Sequence, residues 1–243
     1  MTHTEKLLKK IENLMDGVMD SKSTVKIMRL IGVKLNEREL SEYVLWGDCL
    51  PIADEYPYTE KQRNLHILWE VIDRVPLCLN VAFAIPFRRL IAKRLFARCG
   101  DGFIANEGCR FNYGHRISVG NNVTWNHCCY IDSKGRVSFG DFSMITEYTK
   151  IFSHGHSESN HMERSYSSVS IGDYAKIYTA CTILPGVTVG TGGIAATGSI
   201  VTKDIPPYTV VAGIPAKIMR ERKSPKDVSN LNHYTLKDKL FQK

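Results

Sequence analysis

The chain has 243 residues, a net charge of +7 and an ordinary share of hydrophobic residues (43%), which fits one large domain or a solenoid with an appendage. Met1 is followed by a charged helical pattern and not by the apolar core of a signal peptide, and no stretch reaches the roughly 18 apolar residues of a spanning helix. Seven cysteines without a C-x-x-C pair indicate a reducing compartment. We therefore expect a cytoplasmic protein.

Residues 1–99 are predicted to form a helical N-terminal region. Apolar side chains recur at helical spacing over 5–19, with charged residues between them. Asn36 and Glu39 resemble a capping box that opens a second helix running toward Trp46. After a linker at 51–58, Thr59 opens a third helix that stops before Pro76.

The end of this region is basic and amphipathic over 87–98. Four apolar residues share one helix face, and five basic residues lie elsewhere: Phe87, Leu90, Ile91 and Leu95 against Arg88, Arg89, Lys93, Arg94 and Arg98. Such a helix is typical of a cap that covers the open end of a solenoid and shows its charges to water. It is also typical of peripheral contact with an anionic membrane, which for a cytoplasmic protein is the inner face, and both interpretations stay open.

Residues 100–221 are organised in blocks of six. The first place of each block is apolar, and the fifth is small or β-branched, as in Val123, Cys129, Ser143, Thr149, Ala175, Cys181, Val187, Gly193, Ser199 and Ile205. Two inward places in every six residues fit neither a helix nor a long strand. They predict a short strand, a turn and a repeat, which winds into a triangular parallel β-helix. A tail at 222–243 follows it.

The repeat is interrupted by two short slips and one long one. Two extra residues enter at 112–116 and again at 133–136, whereas the segment 155–168 leaves the prism as a projecting loop. Three histidines, His154, His156 and His161, lie on or beside this loop. A loop on a rigid solenoid is a frequent location for function.

Residues 100–222 resemble the hexapeptide-repeat acyltransferases, most closely their sugar O-acetyltransferase branch, which includes galactoside and maltose acetyltransferases. The strongest motif is ILPGVTVGTGGIAATGSIVTKDIPPYTVVAGIPAKIMRE, which begins at Ile183. The resemblance implies a left-handed parallel β-helix and a homotrimer that binds acetyl-CoA in the cleft between two subunits. The resemblance implies that the reaction requires no metal. It implies transfer of an acetyl group to a sugar hydroxyl, with a cell-surface polysaccharide or its precursor as the expected acceptor.

The same resemblance implies the site residues. The family's catalytic histidine follows a glycine at the root of the loop, which here is His156 after Gly155, and its role would be general base. On the acceptor side the matching position is Asn126. The family's acidic acceptor contact falls around Ser133/Lys134, so the nearest carboxylate is displaced to Asp132, and His154 beside the base is a further candidate contact. On the cofactor side the backbone of Thr179 would face the thioester, while Thr197, Lys203 and Arg220 would hold the pantetheine arm and the phosphates. Tyr178 stands where the family prefers glycine.

Three alternatives remain at this stage. Relatives with the same fold acetylate hydroxyls of antibiotics, so a xenobiotic acceptor is an alternative. Three histidines near a loop could bind zinc, as in the β-helical carbonic anhydrases, although no histidine follows Val169 within the remaining blocks. A noncatalytic solenoid would leave the match of the exit segment to a cofactor clamp unexplained.

Overall fold

The computed structural model describes residues 1–50 and 56–223 and divides the chain into two compact units, Met1–Leu95 and a second unit that begins at Phe96. Most of the predicted linker (51–55) and nearly all of the predicted tail (from 224) lie outside the described residues. Each unit is described by itself below.

The first unit is helical, as expected from its sequence. Its described helices are α1 (His3–Asp16), α2 (Ser21–Leu30), α3 (Glu37–Ser41), α4 (Glu60–Ile72) and α5 (Val81–Leu95), with 3₁₀ segments at Trp46–Cys49 and Pro76–Leu79. The side chains of Thr2, Asp20, Asn36 and Thr59 cap the first four helices by accepting a backbone N–H of the first turn.

Two sequence predictions in this unit need correction. The capping box at Asn36 is present, but the helix it opens ends at Ser41 and does not reach Trp46. Helix α2 was not predicted, because its β-branched residues and serines weaken the helix signal. Tertiary packing supplies what local preference does not, since Val25, Ile27 and Met28 are buried.

The basic face predicted for 87–98 is only partly exposed. Arg88 is 1% exposed and forms an ion pair with Asp73, and Arg94 forms an ion pair with Asp16. The expectation that Arg88 belongs to a solvent-facing basic set is therefore wrong, because this guanidinium balances a carboxylate inside the helical unit.

No helix among the residues that the structure describes combines the length and the apolar character needed to cross a bilayer.

The second unit is a parallel β-helix, and the predicted left-handed β-helix is confirmed. Its coils stack short strands into three parallel sheets. The first sheet contains β1 (Arg98–Cys99), β4 (Ile117–Val119), β7 (Val137–Phe139), β12 (Val169–Ile171) and β15 (Thr188–Val189). The second contains β2 (Ile104–Ala105), β5 (Thr124–Trp125), β8 (Met144–Ile145), β13 (Lys176–Ile177), β16 (Ile194–Ala195) and β18 (Thr209–Gly213). The third contains β3 (Arg110–Phe111), β6 (Tyr130–Asp132), β9 (Lys150–Phe152), β14 (Thr182–Ile183) and β17 (Ile200–Val201).

The interior of the prism follows the six-residue pattern. Residues at the first place, such as Trp125, Ile151 and Ile177, are completely buried, and so are Cys181 and Ser199 at the fifth place. Parallel pairing in constant register stacks these residues directly over one another, for example Ile145 over Trp125 and Ile177 over Ile145. A continuous apolar core results, and its burial is the main stabilising contribution to this unit.

The predicted interruptions occupy one corner of the prism. The first slip contains a 3₁₀ turn at Gly114–Arg116, and the second turns through Arg136 in a left-handed conformation (φ 78°). The predicted loop is a short antiparallel hairpin, in which β10 (His154–His156) pairs with β11 (Arg164–Tyr166). At the end of the solenoid, β19 (Ala216–Glu221) folds back antiparallel on β18.

Candidate active site

Apart from Arg220, the predicted site residues lie at the two corners of the prism that flank the third sheet, which we call edges. The edge that precedes this sheet, which we call the ladder edge, contains the turns 106–109, 126–129, 146–149, 178–181 and 196–199. The edge that follows it, the hairpin edge, contains the turns 112–116, 133–136, 153–168, 184–187 and 202–204. Because the chain winds in one direction, every coil contributes one turn to each edge.

His156 lies on the hairpin edge, at the end of β10. Its ring is exposed, stacks on His161 (ring centroids 4.0 Å apart, planes 6° apart), and places Nδ1 2.8 Å from the backbone oxygen of His161. A carbonyl oxygen only accepts hydrogen bonds, so Nδ1 carries the hydrogen and Nε2 keeps its lone pair. The hairpin therefore fixes the tautomer that a general base acting through Nε2 needs.

His154 is held beside His156 by a buried carboxylate. Asp132, 1% exposed, contacts His154 Nδ1 through Oδ2, and the same oxygen accepts a hydrogen bond from Lys134 Nζ at 2.7 Å. The backbone N–H of Lys134 donates to the other carboxylate oxygen at 3.1 Å. The rings of His154 and His156 meet edge to face with centroids 5.2 Å apart. Asp132 is thus enclosed by its own chain, in a position to orient His154.

The pKa of His154 is lowered. Burial of the ring is the largest cause, and Asp132 opposes it, whereas Lys134 and His156 add to it. A buried imidazole loses hydration when it becomes charged, and the carboxylate that would compensate is already shared with Lys134. Burial therefore favours the neutral form of His154.

Asn126 and Thr179 lie on the ladder edge and are joined by a carboxylate. Asn126 Nδ2 donates to Glu147 Oε1 at 2.5 Å, and Thr179 Oγ1 donates to Glu147 Oε2 at 3.1 Å. Asn106 Nδ2 in turn donates to Asn126 Oδ1 at 2.7 Å. A line of hydrogen bonds therefore runs across successive coils of this edge.

The residues predicted to bind the cofactor lie toward the end of the solenoid and are exposed. Thr197 occupies the ladder edge, one coil beyond Thr179, whereas Lys203 lies on the hairpin edge and Arg220 on β19. Arg220 Nη1 donates to the backbone oxygen of Glu221 at 3.0 Å. Tyr178, 37% exposed, projects beside Thr179.

The structure brings together some of the predicted residues and separates others. Asp132, His154 and His156 form one group on the hairpin edge, and Asn126, Thr179 and Thr197 share the ladder edge. The predicted base and the predicted thioester position therefore lie on opposite edges of one sheet in a single chain.

Sequence reasoning assigned no role to Lys134, Glu147 or His161, although it placed His161 on the projecting loop. Glu147 could have been found, because it occupies the same place in its block as Thr179 and Thr197. The contacts of Lys134 and His161 depend on how coil and hairpin fold back. Across the described ranges 1–50 and 56–223, His, Cys, Asp and Glu side chains do not gather in threes as a possible metal site.

A parallel β-helix of six-residue repeats with a histidine-bearing hairpin agrees with the predicted class, the hexapeptide-repeat acyltransferases. No protein-family model matches the chain. Galactoside O-acetyltransferase of Escherichia coli (strain K12) is 33% identical over 138 residues, which are 55% of this chain and 68% of that protein. The crystal structure of a maltose O-acetyltransferase from Clostridium difficile 630 is 27% identical, with a TM-score of 0.54 over 66% of this chain and 89% of that one.

A galactoside acetyltransferase solved in complex with coenzyme A has the same fold, with a TM-score of 0.51 over 71% of this chain and 91% of that one, at 24% identity. The chain belongs to the hexapeptide-repeat acetyltransferases, in the branch of the galactoside and maltose O-acetyltransferases. It is accordingly an acyltransferase.

Proposed function

We propose that the chain transfers an acetyl group from acetyl-CoA to a sugar hydroxyl and that His156 is the general base. The observation that carries this proposal is the position of His156, whose Nδ1 is engaged by the His161 carbonyl so that Nε2 is available. Complexes with coenzyme A in this fold support the choice of donor.

The reaction has two physical difficulties. A hydroxyl is a poor nucleophile until its proton leaves, and His156 Nε2 removes that proton as the oxygen attacks the thioester carbon. The thioester oxygen gains negative charge, and the backbone N–H of Thr179 is the proposed donor that stabilises it. Collapse of the tetrahedral intermediate breaks the carbon–sulfur bond, and the proton held by His156 goes to the leaving thiolate.

The functional unit that we propose is a homotrimer with its sites between subunits. Within one chain the base and Thr179 lie on opposite edges of the third sheet, and a neighbour related by cyclic symmetry would bring the hairpin edge of one subunit to the ladder edge of the next. Asn126 would contact the acceptor there, with His154 beside the base. Asp132 would orient His154.

The acceptor that we propose is a cell-surface polysaccharide or its precursor. The relatives named for galactoside and maltose acetylation support a sugar. The basic amphipathic segment 87–98 is the proposed contact for a membrane-held substrate. A screen of methyl glycosides with acetyl-CoA, read by release of free thiol, identifies the acceptor.

Substitution of the base tests the mechanism. His156→Ala is expected to lower kcat by about 10²–10⁴-fold, which is the usual contribution of a positioned general base. Cofactor affinity and assembly should not change, because the ring is exposed and contacts neither the solenoid core nor the phosphate-binding positions. His154→Ala should cost much less. Near-parental turnover by His156→Ala, or equal losses in both variants, would contradict this assignment.

The cofactor positions are tested separately. Lys203→Ala and Arg220→Ala are expected to raise the KM for acetyl-CoA and to change kcat less, because both cations would bind the phosphates in the ground state and the transition state alike. Isothermal titration with coenzyme A provides a check independent of turnover. Parental affinity in both variants would exclude these two residues from the phosphate site.

A further inference from the structure

Glu147 receives two lines of hydrogen bonds on the ladder edge. From one side, Asn106 donates to Asn126, which donates to Glu147 Oε1. From the other side, Thr146 and Thr179 share a hydroxyl hydrogen bond at 3.2 Å, and Thr179 donates to Glu147 Oε2. The carboxylate is the common end of both lines.

The chemistry of this arrangement fixes two orientations. A carboxylate only accepts, so the amide nitrogen of Asn126 must point toward Glu147, and the hydroxyl hydrogen of Thr179 must do so as well. Asn126 Oδ1 is then turned toward Asn106. Hydrogen bonds to a charged acceptor are the stronger ones, which limits the alternative rotamers of both donors.

Glu147 also lies between the two halves of the proposed site. Backbone hydrogen bonds stack Glu107, His127, Glu147 and Thr179 as equivalent residues of successive coils, through Cys128 N to Glu107 O, Tyr148 N to His127 O and Ala180 N to Glu147 O. Asn126 is the proposed acceptor contact and Thr179 the proposed thioester position. One half-buried side chain therefore holds both.

We propose that Glu147 is a positioning residue, which fixes Asn126 for the acceptor and aligns it with Thr179 at the acyl group. This inference rests on the proposed function, because it takes its roles for Asn126 and Thr179 from there. It predicts that Glu147 acts by holding Asn126 and Thr179 through hydrogen bonds, and not by an electrostatic effect of its charge on the sugar substrate.

Two substitutions separate these possibilities. Glu147→Ala removes both carboxylate oxygens that accept these hydrogen bonds. It is expected to lower kcat/KM for the best methyl glycoside of the screen by about 10–100-fold, with the KM for acetyl-CoA unchanged. Glu147→Gln keeps the shape and one acceptor oxygen and is expected to stay within about fivefold of the parent. Glu107→Ala, at the equivalent and exposed place two coils earlier, is the matched control and should have parental kinetics.

Coupling and structure complete the test. If Glu147 acts through Asn126, the double variant Asn126→Ala/Glu147→Ala should be no worse than Asn126→Ala alone. A crystal structure of Glu147→Ala should show the Asn126 amide rotated or disordered. This observation does not require the sugar substrate to be known. An unmoved Asn126, parental kinetics of Glu147→Ala, or equal losses in the Gln and Ala variants would overturn the inference. Retained activity of His156→Ala in the same assay would instead contradict the proposed function.

Discussion

At the scale of single residues, the hairpin edge combines an exposed histidine with a shielded one. His156 presents its ring to solvent with Nδ1 engaged, whereas His154 is packed against Asp132 and Lys134. A base must change its charge during turnover, so exposure suits His156. A neighbour that stays neutral avoids a repulsive charge next to the imidazolium that forms, and burial of His154 provides that.

The lowered pKa of His154 predicts how stability depends on pH. Between the depressed folded pKa and the ordinary value of 6.5, the unfolded chain binds a proton that the folded chain does not. The contribution of this group is therefore present above about pH 6.5 and is lost as pH falls through the folded pKa. The free energy of unfolding in urea should therefore decline between pH 7.5 and 5, and the decline should be smaller in His154→Gln.

His115 provides the comparison for this measurement. Its pKa is also lowered, first by burial and then by Arg116 and Arg136, so part of the decline should persist in His154→Gln. The double variant His115→Gln/His154→Gln should be flatter still. If the stability of His154→Gln has the parental pH dependence, His154 is not the group responsible.

At the scale of the coil, the close approach of successive turns limits which residues a corner accepts. A Cβ built on Gly140 would lie 2.5 Å from the backbone nitrogen of Asp173 and 2.8 Å from the carbonyl carbon of Gly172. These neighbours are backbone atoms fixed by the stacked sheets, so they cannot move aside cheaply. Gly140 is therefore required by contact between coils.

Gly140→Ala is expected to destabilise the solenoid by about 1–3 kcal/mol through this overlap. Gly198→Ala is the control, because a Cβ there meets nothing within 4 Å and only the left-handed backbone (φ 73°) is unfavourable. Its expected cost is about 1 kcal/mol. Thermal unfolding of both variants at one protein concentration decides the matter, and an equal or smaller effect of Gly140→Ala would refute the contact argument.

What the sequence predicts differs between elements for physical reasons. The inward places of the solenoid follow from a local period, so residues such as Ile177 and Cys181 could be placed inside without knowing any partner. The pairing of His154 with Asp132 joins residues 22 positions apart in sequence and depends on coil register, which the slip at 133–136 obscures. Arg88 was misplaced because helical periodicity does not reveal Asp73 as its partner.

At the scale of the whole molecule, the separation of the two edges is the structural reason for the proposed trimer. The proposed general base belongs to the hairpin edge, while the residues proposed for the acceptor and the thioester belong to the ladder edge. Every coil contributes a turn to both edges, so a rotation about an axis parallel to the solenoid can bring the two edges together along their length. Light scattering is expected to show a trimer.

Mixing two impaired variants tests whether the proposed sites are shared. His156→Ala has an intact ladder edge, and Asn126→Ala has an intact hairpin edge. If a site combines the hairpin edge of one subunit with the ladder edge of the next, random trimers from an equal mixture contain parental sites at about one in four positions. Denaturing and refolding the variants together should therefore restore about a quarter of parental activity, whereas separately refolded variants mixed afterwards should stay inactive. If each chain holds a complete site, no mixture contains a parental one, and the absence of recovery in refolded trimers would show that the base and Asn126 act within the same subunit.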